Sequence, residues 1–217
     1  MNAVCIKKYF TIVSRILVVP FPKKHVFDTA VISAYNKKKT EVSTMDALDA
    51  IFSRVSVRQY SDREISDEDL HTILKAGMSG PSCVNSRAWS FVVVRDREML
   101  NKMADANGRP AQPLRGAALG ILVCGDLERA FPKAPEYWVI DGSIAAQNMI
   151  LAAQALGIGS VWLGTWPQMD RVKAQAALLG LPESQIPHSI IAFGYPAALS
   201  DKEKLLYESD RVHFETW

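Results

Sequence analysis

Apolar residues begin to recur at helical spacing just after residue 45, at Ala47, Leu48, Ile51 and Phe52, and Ser43 with Asp46 stands ahead of them at capping-box spacing. That predicts a first helix over about 45–54. The device repeats where Ser66 and Asp69 precede Leu70, Ile73 and Leu74. The second helix must stop by Gly80-Pro81, because proline lacks the N–H and clashes with the preceding turn. Trp89–Arg95 is a short β-branched and aromatic run and reads as a strand. Asp96 then caps a helix to about Ala106. Ala117–Gly125 reads as a second, more deeply buried strand, and Asp141–Leu156 as a long Ala-rich helix whose small residues imply tight packing. Gly157–Thr165 returns to strand, Gln168–Leu179 is a helix closed by Gly180 and Pro182, and Ser189–Gly194 is a last strand. Helices and strands alternate without a strict βαβ rhythm, which favours the α+β class.

Composition narrows the picture. The chain has 217 residues, 48% apolar and 22% charged, enough for one sizeable core. Its net charge of +2 hides an asymmetry. Residues 1–44 carry eight Lys/Arg against Asp28 and Glu41, a local +6, which leaves −4 on the remaining 173 residues. An acidic body is a poor match for nucleic acid, whose phosphates need a basic face. Three cysteines without a close pair fit a reducing, cytoplasmic compartment better than a disulfide framework. The four histidines lie far apart in no metal-ligand spacing, so no metal site is expected. The apolar stretch Tyr9–Phe21 is broken by Thr11, Ser14 and Arg15 and is too short for a membrane span. It has the basic start of a signal peptide without a convincing cleavage site. Residues 1–44 therefore read as a disordered tail or as residues upstream of the natural start at Met45, ahead of a surface-lying anchor. Residues 45–217 form the single domain.

Four segments can carry chemistry. In Arg54-Val55-Ser56-Val57-Arg58 an extended chain puts two guanidiniums and a hydroxyl on one side with the valines behind, a combination suited to a phosphate and a polar chain. On spacing alone the simpler account is a strand edge with solvated arginines. The loop Gly80–Trp89 concentrates donors at Ser82, Asn85, Ser86 and Arg87, and by itself could be a self-satisfied polar turn. The strand Gly157–Trp166 is flanked by glycines that let a planar ligand approach the backbone, but it lacks the third glycine of a dinucleotide fingerprint. The tail Tyr207–Trp217 is too aromatic to be left free, and Arg211 could reach a ligand; the simpler alternative is packing of Val212, Phe214 and Trp217.

Together and in this order these motifs resemble the nitroreductase family of flavoproteins: R-x-S-x-R after the first helix, a P-S-x-x-N loop, a G-x-G-S-x-W-x-G strand and an arginine near the C-terminus, over roughly Met45 to Trp217. The resemblance implies an α+β three-layer sandwich with a central mixed sheet flanked by helices, a homodimer, and FMN bound noncovalently between the subunits. It also implies hydride transfer from NADH or NADPH to a small acceptor in two half-reactions. It assigns Arg54 and Arg211 to the FMN phosphate, Ser56 to the ribityl or phosphate end, and Arg58 to the N1/C2=O edge of the ring. Pro81, Ser82 and Asn85 would reach the flavin of the other subunit. Leu163, Gly164 and Thr165 would lie against the ring, with the Gly164 N–H directed at N5, and Asp141 is a further candidate for the ring edge. The sequence departs from the commoner loop pattern at Arg87 and Ala88, where many relatives carry Gln and Pro. A guanidinium at position 87 leaves the pyrimidine-edge contact open and suits an anionic acceptor. No side chain is needed as a catalytic acid or base, since the cofactor carries the hydride chemistry and the protein tunes it. The acceptor must stack on the ring, so a flat, electron-poor nitroaromatic, quinone or enone is expected. The competing readings are an FMN-binding protein without turnover, a non-enzymatic interaction protein, and a variant chemistry such as reductive dehalogenation.

Overall fold

The computed structural model describes residues 45–198, 204 and 207–217. The expectation for the extension 1–44 lies outside the described residues.

Three of the helix starts follow from their caps. Helix α1 (Ala47–Ser53) begins where the Asp46 carboxylate accepts from the Leu48 N–H at 2.8 Å. Helix α2 (Asp67–Met78) begins where the Ser66 hydroxyl accepts from the Asp69 N–H at 3.0 Å. Helix α3 (Arg97–Asn107) begins where Asp96 accepts from the Met99 N–H at 2.8 Å. Each side chain satisfies an amide that has no partner within its helix. Helix α4 (Tyr137–Ala155) has no such cap. It starts one turn before the expected Asp141, because the apolar turn Tyr137–Ile140 gains a buried Trp138 that packs edge-on against Trp166, ring centres 5.0 Å apart. Helix α5 (Met169–Leu179) ends at Gly180, φ +62°, a left-handed terminus that glycine adopts without a Cβ penalty.

Four strands, β1 (Trp89–Val94), β2 (Leu119–Asp126), β3 (Gly159–Gly164) and β4 (Gln185–Gly194), form one sheet in the order β1-β2-β4-β3. All three pairings are antiparallel. Among the described residues the parallel component of the expected mixed sheet is confined to one bridge, Ser56 to Ser160, on the outer side of β3. The central strands are buried on both faces. Leu119, Ile121 and Val123 of β2, with Ile191 and Phe193 of β4, face a core completed by α2 and α4. Leu122, Cys124, Ile190 and Ala192 face the opposite core, under α3 and the 3-10 segment Arg109–Gly116. Two helical layers thus sandwich the sheet, in keeping with its period-two alternation.

Strand β4 is four residues longer at its start than the apolar run Ser189–Gly194 indicates. Its pairing with β2 slips by one residue, since Val123 opposes Ser189 and Cys124 opposes Pro187. His188 is the extra residue of this β-bulge, and the bulge accommodates Pro187 inside a central strand.

Candidate functional site

The segment after α1 is extended, as the alternating valines require. The Val57 N–H donates to the Ser160 carbonyl at 2.9 Å, tying the segment to the free edge of β3. Val57 lies flat on Gly159, where a Cβ would come within 2.8 Å of it. This leaves Arg54 half-buried and Ser56 and Arg58 exposed, and Arg58 folds back to donate to the Ser56 carbonyl at 3.3 Å. A further cation joins them that no spacing in the sequence announces. The Lys204 ammonium donates to the Ile51 carbonyl at 3.4 Å, and it is held below the usual lysine range by desolvation and then by the charge of Arg54. Arg211 sits in a short 3-10 turn and is paired with Glu208 at 2.8 Å. Among the described residues this is its one ion pair, and the single chain does not join it to Arg54.

At the end of β3, Leu163 and Thr165 are buried and serve the interior. The Thr165 hydroxyl donates to the Asn107 side chain at 3.0 Å. The Gly164 carbonyl accepts from Asn107 at 3.1 Å and from Arg171 at 3.0 Å, which uses both of its lone pairs. On the other side of Gly164 there is space: a Cβ built there meets no atom of the described residues within 4 Å. Asn107 and Arg171 are therefore the residues that fix this peptide. The sequence offered no motif for them, since they come from the ends of two different helices.

The Pro81–Arg87 loop lies at the opposite edge of the sheet, ahead of β1. Val84, Asn85 and Arg87 all adopt positive φ, at +46°, +57° and +53°. For non-glycine residues each such conformation costs on the order of 1–3 kcal/mol and persists only where surroundings enforce it. The enforcing group is Asp141, 1% exposed on α4. Its carboxylate accepts from the Cys83 N–H at 2.9 Å and from the Ser86 hydroxyl at 3.4 Å. The Ser82 hydroxyl accepts from the Arg87 N–H at 2.9 Å, and the Asn85 side chain accepts from the Arg87 guanidinium at 3.3 Å. Asp141, considered for the ring edge, is thus engaged within the chain as the anchor of this loop, while Pro81, Asn85 and Arg87 are exposed and Ser82 is half-buried.

Between the two edges lies the bulge. The His188 imidazole is buried among Trp138 and Trp162, ring centres 5.9 and 5.5 Å away, with Ser143 and Ser189 hydroxyls at 3.2 and 3.0 Å from its two nitrogens. Burial lowers its pKa to about 4, so the ring is neutral. Its backbone carbonyl accepts from the Trp166 N–H at 2.9 Å, which fixes the turn just after Gly164. A cavity of about 730 Å³ opens beside Arg58, walled by the 3-10 segment that follows α3. Among the described residues no group of three His, Cys, Asp or Glu is placed to hold a metal, and no helix is long and apolar enough to cross a membrane.

Comparison with known proteins places this geometry. The model of the nitroreductase family matches residues 51–123 and 110–195. The chain is 45% identical over 177 residues to a protein of Methanothermobacter thermautotrophicus provisionally named NADH dehydrogenase/NAD(P)H nitroreductase, covering 82% of this chain and 91% of that one. A similarly named crystal structure from Bacteroides thetaiotaomicron VPI-5482 shares 42% identity at a TM-score of 0.73, over 79% of this chain and 98% of that one. An FMN-dependent nitroreductase of Clostridium difficile R20291 shares 32% identity at a TM-score of 0.68, over 78% of this chain and 99% of that one. With the family match spanning most of the chain, and with relatives this close along nearly their whole length, the chain belongs to the nitroreductase family.

Proposed function

We propose that the protein is an FMN-dependent oxidoreductase that passes hydride from NADH or NADPH to a small, flat, electron-poor acceptor, and that it works as a homodimer. The carrying observation is the open face of Gly164, a residue whose carbonyl is fully used by Asn107 and Arg171. What that residue has left to offer a ring is its own N–H, in the preceding peptide, beside a surface where no side chain of the described residues competes. The donor set fits the cofactor: Arg54 and Lys204 gather positive charge for a phosphate, and Ser56 follows for the polar chain. When bound, FMN supplies the site that accepts and donates hydride. Arg58 puts a guanidinium where negative charge collects on reduction, which favours the reduced form over the oxidised one. Arg211 completes the phosphate end, and Leu163 and Thr165 hold the peptide flat from beneath.

The homodimer follows from two features. Gly164 is level in register with Phe91 of β1, three strands and so about 14 Å across the sheet. One chain therefore offers its Ser82/Asn85 loop far from its own Gly164, and a two-fold partner can bring the loop of one chain to the Gly164 of the other. Apolar surface is also left uncovered. Leu48, Ile51 and Phe52 of α1 are exposed, as are Phe214 at 81% and Trp217 at 100%. Such a chain would work in a reducing, cytoplasmic setting.

Heat release and chromatography of the cofactor should yield FMN, and anaerobic NADH or NADPH should bleach its absorbance. FAD, or a protein that stays colourless after reconstitution, sinks the reading. Bleaching by neither nucleotide leaves a carrier instead of an enzyme. Truncation before Tyr207 should weaken the dimer and release FMN together, read by sedimentation and flavin content.

A further inference from the structure

We propose that the cavity beside Arg58 is an acceptor subsite that selects flat molecules bearing a carboxylate, and that Arg109 is the residue that recognises the anion. This rests on the flavin reading above, because it takes Arg58 as the boundary between cofactor and acceptor. The cavity, about 730 Å³, is of small-molecule size. Its walls are Arg58, Gln59, Arg109, Pro110, Gln112 and Pro113.

The wall is built to be stiff. Gly108, φ +79°, ends α3 and turns the chain into the 3-10 segment Arg109–Gly116. Ala111 and Leu114 bury that segment's inner side completely. The Arg97 guanidinium then clamps its far end, donating to the carbonyls of Leu114 at 3.3 Å, Arg115 at 2.6 Å and Ala117 at 2.7 Å. Arg109, Pro110, Gln112 and Pro113 are left on the cavity side.

The polar groups on that side are predominantly donors. Among the described residues two guanidiniums line the cavity and no carboxylate does. Asp105, the nearest acid on α3, is engaged by Arg115. The Gln112 side-chain oxygen accepts from Arg115 at 2.8 Å, which leaves its NH₂ group to donate. Arg109 takes part in no ion pair among the described residues. A planar guanidinium matches a carboxylate in two parallel hydrogen bonds, and two proline rings give an apolar wall for a flat body. The 2′-phosphate of NADPH offers the same charge, but it lies at the far end of a dinucleotide from the nicotinamide. Arg109 shares one small cavity with Arg58, so its anion belongs to a molecule short enough to reach the ring edge.

Benzoate and benzamide are isosteric, and the flavin cannot reduce either. Titrated into holoprotein and followed by the flavin difference spectrum, benzoate should bind about tenfold more tightly than benzamide, as expected for one charge-assisted pair. Arg109→Gln should reduce the preference to within about twofold with FMN content and melting temperature unchanged, and Arg109→Lys should restore part of it. KM should follow the same order for 4-nitrobenzoate against 4-nitrobenzamide. Equal binding by the native protein overturns the proposal. So does an Arg109→Gln protein that keeps its preference, or one that loses only NADPH affinity. Calorimetry of the same pair needs no flavin signal. A colourless protein that still prefers benzoate would remove the flavin reading and keep the anion subsite.

Discussion

The two edges of the sheet hold their shape by opposite means. Beside β3, Arg54–Arg58 is plain extended chain, pinned by a backbone bond from Val57 to Ser160 and by the flat surface of Gly159. Ahead of β1, Ser82–Arg87 contains three non-glycine residues at positive φ and is held by a carboxylate 58 residues further along, on α4. The first edge presents side chains from a relaxed backbone. The second stores strain and depends on one buried group. In the site proposed to be shared between subunits, the edge offered for the charges is robust and the edge offered to reach across is conditional.

The sharpest way to break that contrast is Asp141→Ala. It strands the Cys83 N–H and removes the acceptor for Ser86, so unfolding stability should fall by about 3 kcal/mol and flavin retention should drop with it. A loss under about 1 kcal/mol would show that the loop holds itself.

The bulge that joins the edges is tested by pH. His188 has a folded pKa near 4, below its ordinary 6.5, so the unfolded chain binds a proton first as pH falls. Stability is fully present above the unfolded value and is lost as pH falls from about 6.5 towards 4, by at most about 3 kcal/mol. Denaturant unfolding across that window should show the decline, and His188→Gln should flatten it. A native profile that is flat there would show that His188 does not drive it.

On the robust edge the substitutions should touch chemistry before fold. Arg58→Gln should slow anaerobic reduction by nicotinamide about tenfold, some 1.4 kcal/mol of barrier, and lower the flavin potential with FMN retention little changed. Poor retention at an unchanged potential would move Arg58 to the phosphate end. Val84→Gly relieves a β-branched residue at φ +46° and should raise stability by about 1 kcal/mol, seen as a higher melting temperature. A lower one would mean that its exposed side chain is buried by a partner. The smallest effect on folding belongs to Gly164→Ala, within about 0.5 kcal/mol, because the added methyl meets nothing. The same methyl would occupy the proposed ring face, so flavin affinity should fall while the melting temperature of flavin-free protein holds.

Much of this was legible in the chain. Ser66 and Asp96 mark helix starts because a cap acts on amides two or three residues away, whereas at the first helix the cap is Asp46 itself, which the sequence placed at the end of a capping box opened by Ser43. The extended Arg54–Arg58 segment follows from its alternation, and the family follows from four short motifs in order. Strand β4 was legible only from Ser189 onward. Gln185, Pro187 and His188 break the apolar signal, and what makes them strand is the bulge paired against β2. The start of α4 was hidden similarly, because Trp138 is helical for the sake of Trp166 and His188, 28 and 50 residues away.

The sequence by itself determined the α+β class, the caps at Ser66 and Asp96, the extended arginine segment and the order of the motifs, all of which act over a few residues and leave periodic or positional marks. The tertiary structure decided which groups meet: Asp141 beneath the strained loop, Asn107 and Arg171 on the Gly164 carbonyl, Lys204 beside Arg54, and Arg109 and Arg58 lining one cavity. Hydrogen bonds and charge act over a few ångströms of space whatever the separation along the chain, so contacts between distant residues leave no period in the sequence and exist only once the layers have packed.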